Sequence, residues 1–131
     1  MARPASEHPT ELELAILKIL WRQAPQTVEQ VRDALAQDGR ELAHSSVITI
    51  MNIMVRKELL AREKQGRAFE FTPLVAEAEV GQGMLADLVD RVFDGSATAV
   101  LLNLLEAKDV NADELRELRK LLQRKEKELD K

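Results

Sequence analysis

The chain has 131 residues, 45% of them hydrophobic and 32% charged, and a formal net charge of −4. That balance describes a folded protein with one ordinary core, or a small domain with an added arm, and not a disordered polymer. The absence of cysteine excludes disulfides, thiolate metal sites and a cysteine nucleophile.

No run reaches the eighteen apolar residues of a membrane span, and no basic-then-apolar leader opens the chain, so a cytoplasmic protein with no membrane partner is expected. The two histidines, His8 and His44, have no metal-ligand spacing, and neither a nucleophile elbow nor a phosphate-binding glycine loop is present. Neither an enzyme nor a bound cofactor is expected.

Met1 to Pro9 is a short polar lead. Thr10 stands three residues before Glu13, the spacing of a capping box, and opens a helix whose Leu12, Leu14, Ile16, Leu17, Ile19 and Leu20 are mostly buried. Trp21 at its end fits a core or domain-seam position, with a functional aromatic as the alternative. Pro25 breaks the pattern, and Thr27 with Gln30 repeats the capping-box spacing for a second helix through Val28, Val31 and Leu35 that stops near Gly39.

The third helix carries two stripes. Val47, Ile50, Met51 and Met54 form an apolar one, and Ser45, Thr49, Asn52 and Arg56 a polar one at spacings of four, three and four. The polar stripe is either a solvated face or a set of groups suited to a DNA major groove, where Asn and Arg make bidentate base contacts and hydroxyls bind bases or phosphates. Ser45 or Ser46 can cap this helix, and Ser45 is expected to serve the cap first and DNA second.

Phe69 and Phe71 alternate with Ala68, Glu70 and Thr72, and Gly66 supplies a turn, so a β-hairpin closed by Pro73 follows, with Arg62, Lys64 and Arg67 near its tip. Arg56 to Arg67 holds five basic and two acidic residues. A basic hairpin beside a polar helix is the layout of a winged helix-turn-helix in which the helix enters the groove and the wing grips phosphate.

Beyond the hairpin the charge balance turns acidic. Met1 to Leu74 holds 10 basic and 10 acidic residues, and Val75 to Lys131 holds 9 and 13. An acidic segment is repelled by phosphate, so this part has another task. It reads as three helices, with restarts at Asp94-Gly95-Ser96 and at Asn111 with Glu114. Val100, Leu101, Leu104, Leu105, Leu115, Leu118 and Leu122 are too apolar to remain in water, which leaves a homodimer interface or packing back onto the same chain.

The order of two helices, "LAHSSVITIMNIMVRKELL", "AREKQGRAFEFTPLV" and a helical arm, with the opening "TELELAILKILW", resembles the BlaI/MecI/CopY family of bacterial winged-helix repressors over about Thr10 to Leu122. The resemblance implies a mainly α fold with a small β-hairpin wing. Met1–Leu74 would be the winged-helix DNA-binding domain and Val75–Lys131 the helical dimerisation domain. It implies a homodimeric repressor of antibiotic-resistance or metal-homeostasis genes, bound to an inverted-repeat operator in double-stranded DNA.

By motif position it sets Ser45, Ser46, Thr49, Asn52 and Arg56 at the groove and Arg62, Lys64 and Arg67 on the wing. It implies release by a sensor-linked protease cutting at Asn103-Leu104, within "VLLNLLE", where the residue-level alternative is an Asn facing solvent or bonding across the dimer. The chain departs from the family at Ile53, often Arg, and at Glu58, often Gly; the lack of cysteine disfavours the copper-responsive branch. The alternative from another class is a helical adaptor whose basic hairpin docks on an acidic protein.

Overall fold

The computed structural model describes residues 8–107 and 109–130. The elements run α1 (Glu11–Arg22), β1 (Gln26–Thr27), α2 (Val28–Gln37), α3 (His44–Arg56), β2 (Leu60–Gln65), β3 (Ala68–Pro73), α4 (Glu77–Val92), α5 (Ala97–Ala107) and α6 (Ala112–Leu129). The described residues fall into two compact units divided between Asp87 and Leu88, so the division runs within α4. The fold is mainly helical with a small β wing, as expected.

Both capping boxes form. The Thr10 side chain accepts from Glu13 N at 3.2 Å and Glu13 Oε1 accepts from Thr10 N at 2.9 Å; Thr27 and Gln30 repeat the exchange at 3.2 and 2.9 Å. Each box satisfies amide donors that the first helical turn leaves without partners. α2 ends at Gln37 with Asp38 as its C-cap, and Gly39 follows with φ +90°, a conformation that glycine takes without a Cβ clash.

The core of the N-terminal unit joins Ile16, Leu17, Ile19 and Leu20 of α1, Val28, Val31 and Leu35 of α2, and Val47, Met51 and Met54 of α3 to Leu59, before the wing, and to Leu60 and Phe71 of the sheet. Ile50 is only half-buried, packed at the margin. Trp21 is half-buried, and its Nε1 donates to the Val75 carbonyl at 2.9 Å, tying the end of α1 to the exit of the wing. That is a seam position, which suits an aromatic with one polar atom.

Two features differ from the sequence reading. The wing is not a bare hairpin: among the described residues the sheet has three antiparallel strands in the order β1-β3-β2, with Gln26 opposite Phe71 and Thr27 opposite Glu70. Two residues are too few to show a period-2 pattern. The other is the start of α3, where the N-cap is Ala43 and no side chain caps; Ser46 N and Val47 N both bond to the Ala43 carbonyl. Ser45 and Ser46 therefore lie inside the first turn and cap nothing, because Ala43 already holds the extended cap conformation.

The end of α3 is held more firmly than its start. Lys57 Nζ reaches both carboxylate oxygens of Glu13 at 3.0 Å, and Glu13 is only 4% exposed. Glu58 then takes φ +64° and turns the chain into β2. A non-glycine residue there costs on the order of 1 kcal/mol, which the packed elements on either side must hold.

Glu13→Gln keeps the capping acceptor and loses the charge facing Lys57, so a loss of about 1 kcal/mol is expected. Glu13→Ala removes both and should cost about 2 kcal/mol or more. Urea unfolding of the pair measures both; equal losses would show that the charge facing Lys57 alone matters and that the cap adds nothing.

Candidate nucleic-acid interface

Ser45, Ser46, Thr49 and Arg56 are exposed along one side of α3, and Asn52 is half-buried between them. The Thr49 hydroxyl donates to the Ser45 carbonyl at 2.8 Å, which uses its proton and leaves its oxygen lone pairs as acceptors toward solvent. The hydroxyls of Ser45 and Ser46, released from capping, stand on the same exposed turn.

The wing adds its cations by strand register. Arg62 lies opposite Phe71 and Lys64 opposite Phe69, and residues directly opposite in a ladder share a face. Phe71 is 1% exposed and marks that face as the inner one. Arg62 and Lys64 therefore stand on the side of the aromatic pair, while Glu63 and Glu70, opposite each other in the next register position, stand on the outer side. Alternation along the strand sorts the charges that the sequence interleaves.

Gly66, at φ +65°, and Arg67 form the two-residue turn between the strands; glycine at the first turn position is the residue that such a hairpin needs. Arg67 at this tip is exposed. It lines, with Ile48, Asn52, Arg62 and Phe69, a cleft of about 410 Å³ that also includes Thr27 of β1 and Val28 of α2.

On the exposed side, helix and wing are joined by a side-chain hydrogen bond. Arg62 Nη1 donates to Asn52 Oδ1 at 2.8 Å, and the Arg62 guanidinium lies 4.6 Å from the centroid of the Phe69 ring. Phe69, 40% exposed, carries the cation over its ring and lines the cleft. Of the five basic residues between Arg56 and Arg67, Lys57 is turned away to Glu13. The sequence reading missed His44, which is exposed on the first turn of α3 and lines the cleft; its place beside Ser45 was the available signal. The Ile48 side chain packs against the core as well as lining the cleft.

In the C-terminal unit Leu101, Leu104, Leu105, Leu115, Leu118 and Leu122 line one apolar cleft of about 790 Å³ between α5 and α6. Their exposures run from 37% at Leu118 to 58% at Leu122. Val100 is half-buried outside this lining. Asn103 and Leu104 lie inside α5, and Asn103 Nδ2 donates to the Ala99 carbonyl at 2.8 Å, so that amide is engaged by its own helix.

Among the described residues, no helix is long and apolar enough to cross a membrane and no cluster of His, Asp or Glu could hold a metal ion. Three capped or packed helices carrying a polar third helix and a basic wing define a winged helix-turn-helix regulator. The family described as Penicillinase repressor matches residues 9–124, and the chain belongs to it.

The chain is 35% identical to the transcriptional regulator BlaI of Mycobacterium tuberculosis, over 86% of this chain and 80% of that protein. It is 23% identical to the methicillin resistance regulatory protein MecI of Mammaliicoccus sciuri, over 86% of this chain and 91% of that one. It is also 23% identical to the penicillinase repressor of Bacillus licheniformis, over 87% and 88%. These relatives are named for regulation and not for catalysis.

Since neither serine caps α3, Ser45→Ala and Ser46→Ala should each change unfolding free energy by less than about 0.5 kcal/mol, whereas Thr27→Ala should lose about 1 kcal/mol with its cap. Thermal unfolding followed by circular dichroism compares the three. A Ser45→Ala loss matching that of Thr27→Ala would restore Ser45 as a cap.

Proposed function

We propose that the protein is a dimeric, sequence-specific repressor that binds duplex DNA through α3 and the wing and is held as a dimer by α5 and α6. The observation that carries this reading is the Asn52–Arg62 contact, where the exposed stripe of α3 and the inner cations of the wing converge on one surface. A helix fits the B-DNA major groove, whose width is about 12 Å. Ser45, Ser46, Thr49, Asn52 and Arg56 face base edges and adjoining phosphates, and Lys64 and Arg67 grip the backbone beside them.

The leucine-lined cleft of the C-terminal unit supports dimerisation, since apolar area of this kind on a small unit is most economically covered by a second copy around a twofold axis. Joining two half-site binders makes the second contact intramolecular and raises avidity by ~10²- to 10⁴-fold. The operator is then an inverted repeat with half-sites about one helical turn, ~10 bp, apart or a multiple of it. The names of the relatives support β-lactam resistance genes as the regulated set.

Selection from a random duplex pool tests the reading and should return such a repeat. Arg67→Ala should weaken every duplex about equally and flatten the slope of log affinity against log salt by about 0.9. No enrichment from a folded dimer would transfer the basic surface to an acidic protein partner. Leu118→Asp combined with Leu122→Asp should give a monomer in sedimentation and lower operator affinity by roughly 10²-fold or more. A doubly substituted protein that remained dimeric would remove the cleft from the interface.

A further inference from the structure

The contact between Asn52 and Arg62 has a consequence for base recognition. Arginine has donors only, so the atom of the Asn52 amide facing Arg62 is fixed as Oδ1, and the amino group Nδ2 is fixed on the other side. The cation is itself held from behind by the Phe69 ring at 4.6 Å. An unrestrained asparagine in a major groove pairs with adenine through both atoms, Oδ1 accepting from the N6 amino group and Nδ2 donating to N7. Here Oδ1 is already an acceptor for a guanidinium, and the positive charge beside its second lone pair opposes the approach of another amino group. What Asn52 is left to offer a base is a donor, Nδ2.

We propose that Arg62 is a positioning residue for base recognition: by holding Oδ1 of Asn52 it makes α3 read an acceptor-rich base, guanine with its N7 and O6, in place of adenine at the base pair facing Asn52. This rests on the reading of α3 as the helix in the groove, and it goes beyond it by assigning the base and the residue that selects it. Arg62 stands on the wing, yet its effect is on what the helix distinguishes. Phosphate contact by Arg62 would carry no such information.

The test is selection of bound duplexes by the full-length wild type, Arg62→Ala, Phe69→Ala, Asn52→Ala and the Asn52→Ala/Arg62→Ala double variant. Asn52→Ala marks the base pair in question by erasing preference there. Wild type should prefer guanine at that pair by about tenfold. Arg62→Ala should move the preference to adenine, since Asn52 is then free to use both atoms, and Phe69→Ala should move it the same way by less. The double variant should match Asn52→Ala at that pair.

In the free protein, Arg62→Ala should shift the Asn52 side-chain amide resonance and leave those of Asn103 and Asn111 in place, which reports the hydrogen bond without DNA. An Arg62→Ala protein that binds all duplexes more weakly but selects the same base at every pair overturns this proposal and leaves the DNA-binding reading standing. A wild type that selects no duplex overturns both.

Discussion

A buried carboxylate holds the N-terminal unit in register. Glu13 lies in the first turn of α1, closes the capping box with Thr10 and takes Lys57 at the far end of α3 at 3.0 Å on both oxygens. Two helices distant in sequence are thereby joined where α3 stops. A carboxylate so enclosed is tolerable only while its donors remain, since an unpaired buried charge costs several kcal/mol. The exit of α3 is therefore defined at one point, and Glu58, in the left-handed region, redirects the chain into β2 from there. The position of the wing beside the exposed stripe of α3 follows from this junction.

The wing has two anchors of different kinds. Phe71 is buried in the core and fixes the inner face of β3, while β1 pairs with the far edge of that strand. Trp21 then ties the exit to α1 through the Val75 carbonyl. With the sheet so held, strand alternation puts Arg62 and Lys64 on the aromatic side and Glu63 and Glu70 on the other. A segment of modest net charge thus presents cations on one face, which is the property that phosphate attraction depends on.

The C-terminal unit has the opposite construction. Its α6 is charged on most of its surface and apolar along a stripe, and α5 is apolar on most of its own. The leucines of the two helices meet around a cleft and remain partly exposed, which contrasts with the fully buried side chains of the N-terminal core. Such a surface favours association over independent stability.

Local chemistry was legible without coordinates. Thr10 with Glu13, Thr27 with Gln30 and Asn111 with Glu114 begin their helices because capping is decided within four residues, and the Phe69–Phe71 alternation marked the inner face of the hairpin. The apolar stripe of Val47, Met51 and Met54 was equally local.

Three matters needed tertiary structure. Strand β1 is too short to leave a pattern and exists only because β3 offers an edge. Lys57 counted in the basic stretch from Arg56 to Arg67 until the fold set it against Glu13, 44 residues away. The coupling of Asn52 to Arg62 joins residues on different elements, and which atoms of an amide are free is a property of its partners in space, which no periodicity along a chain encodes.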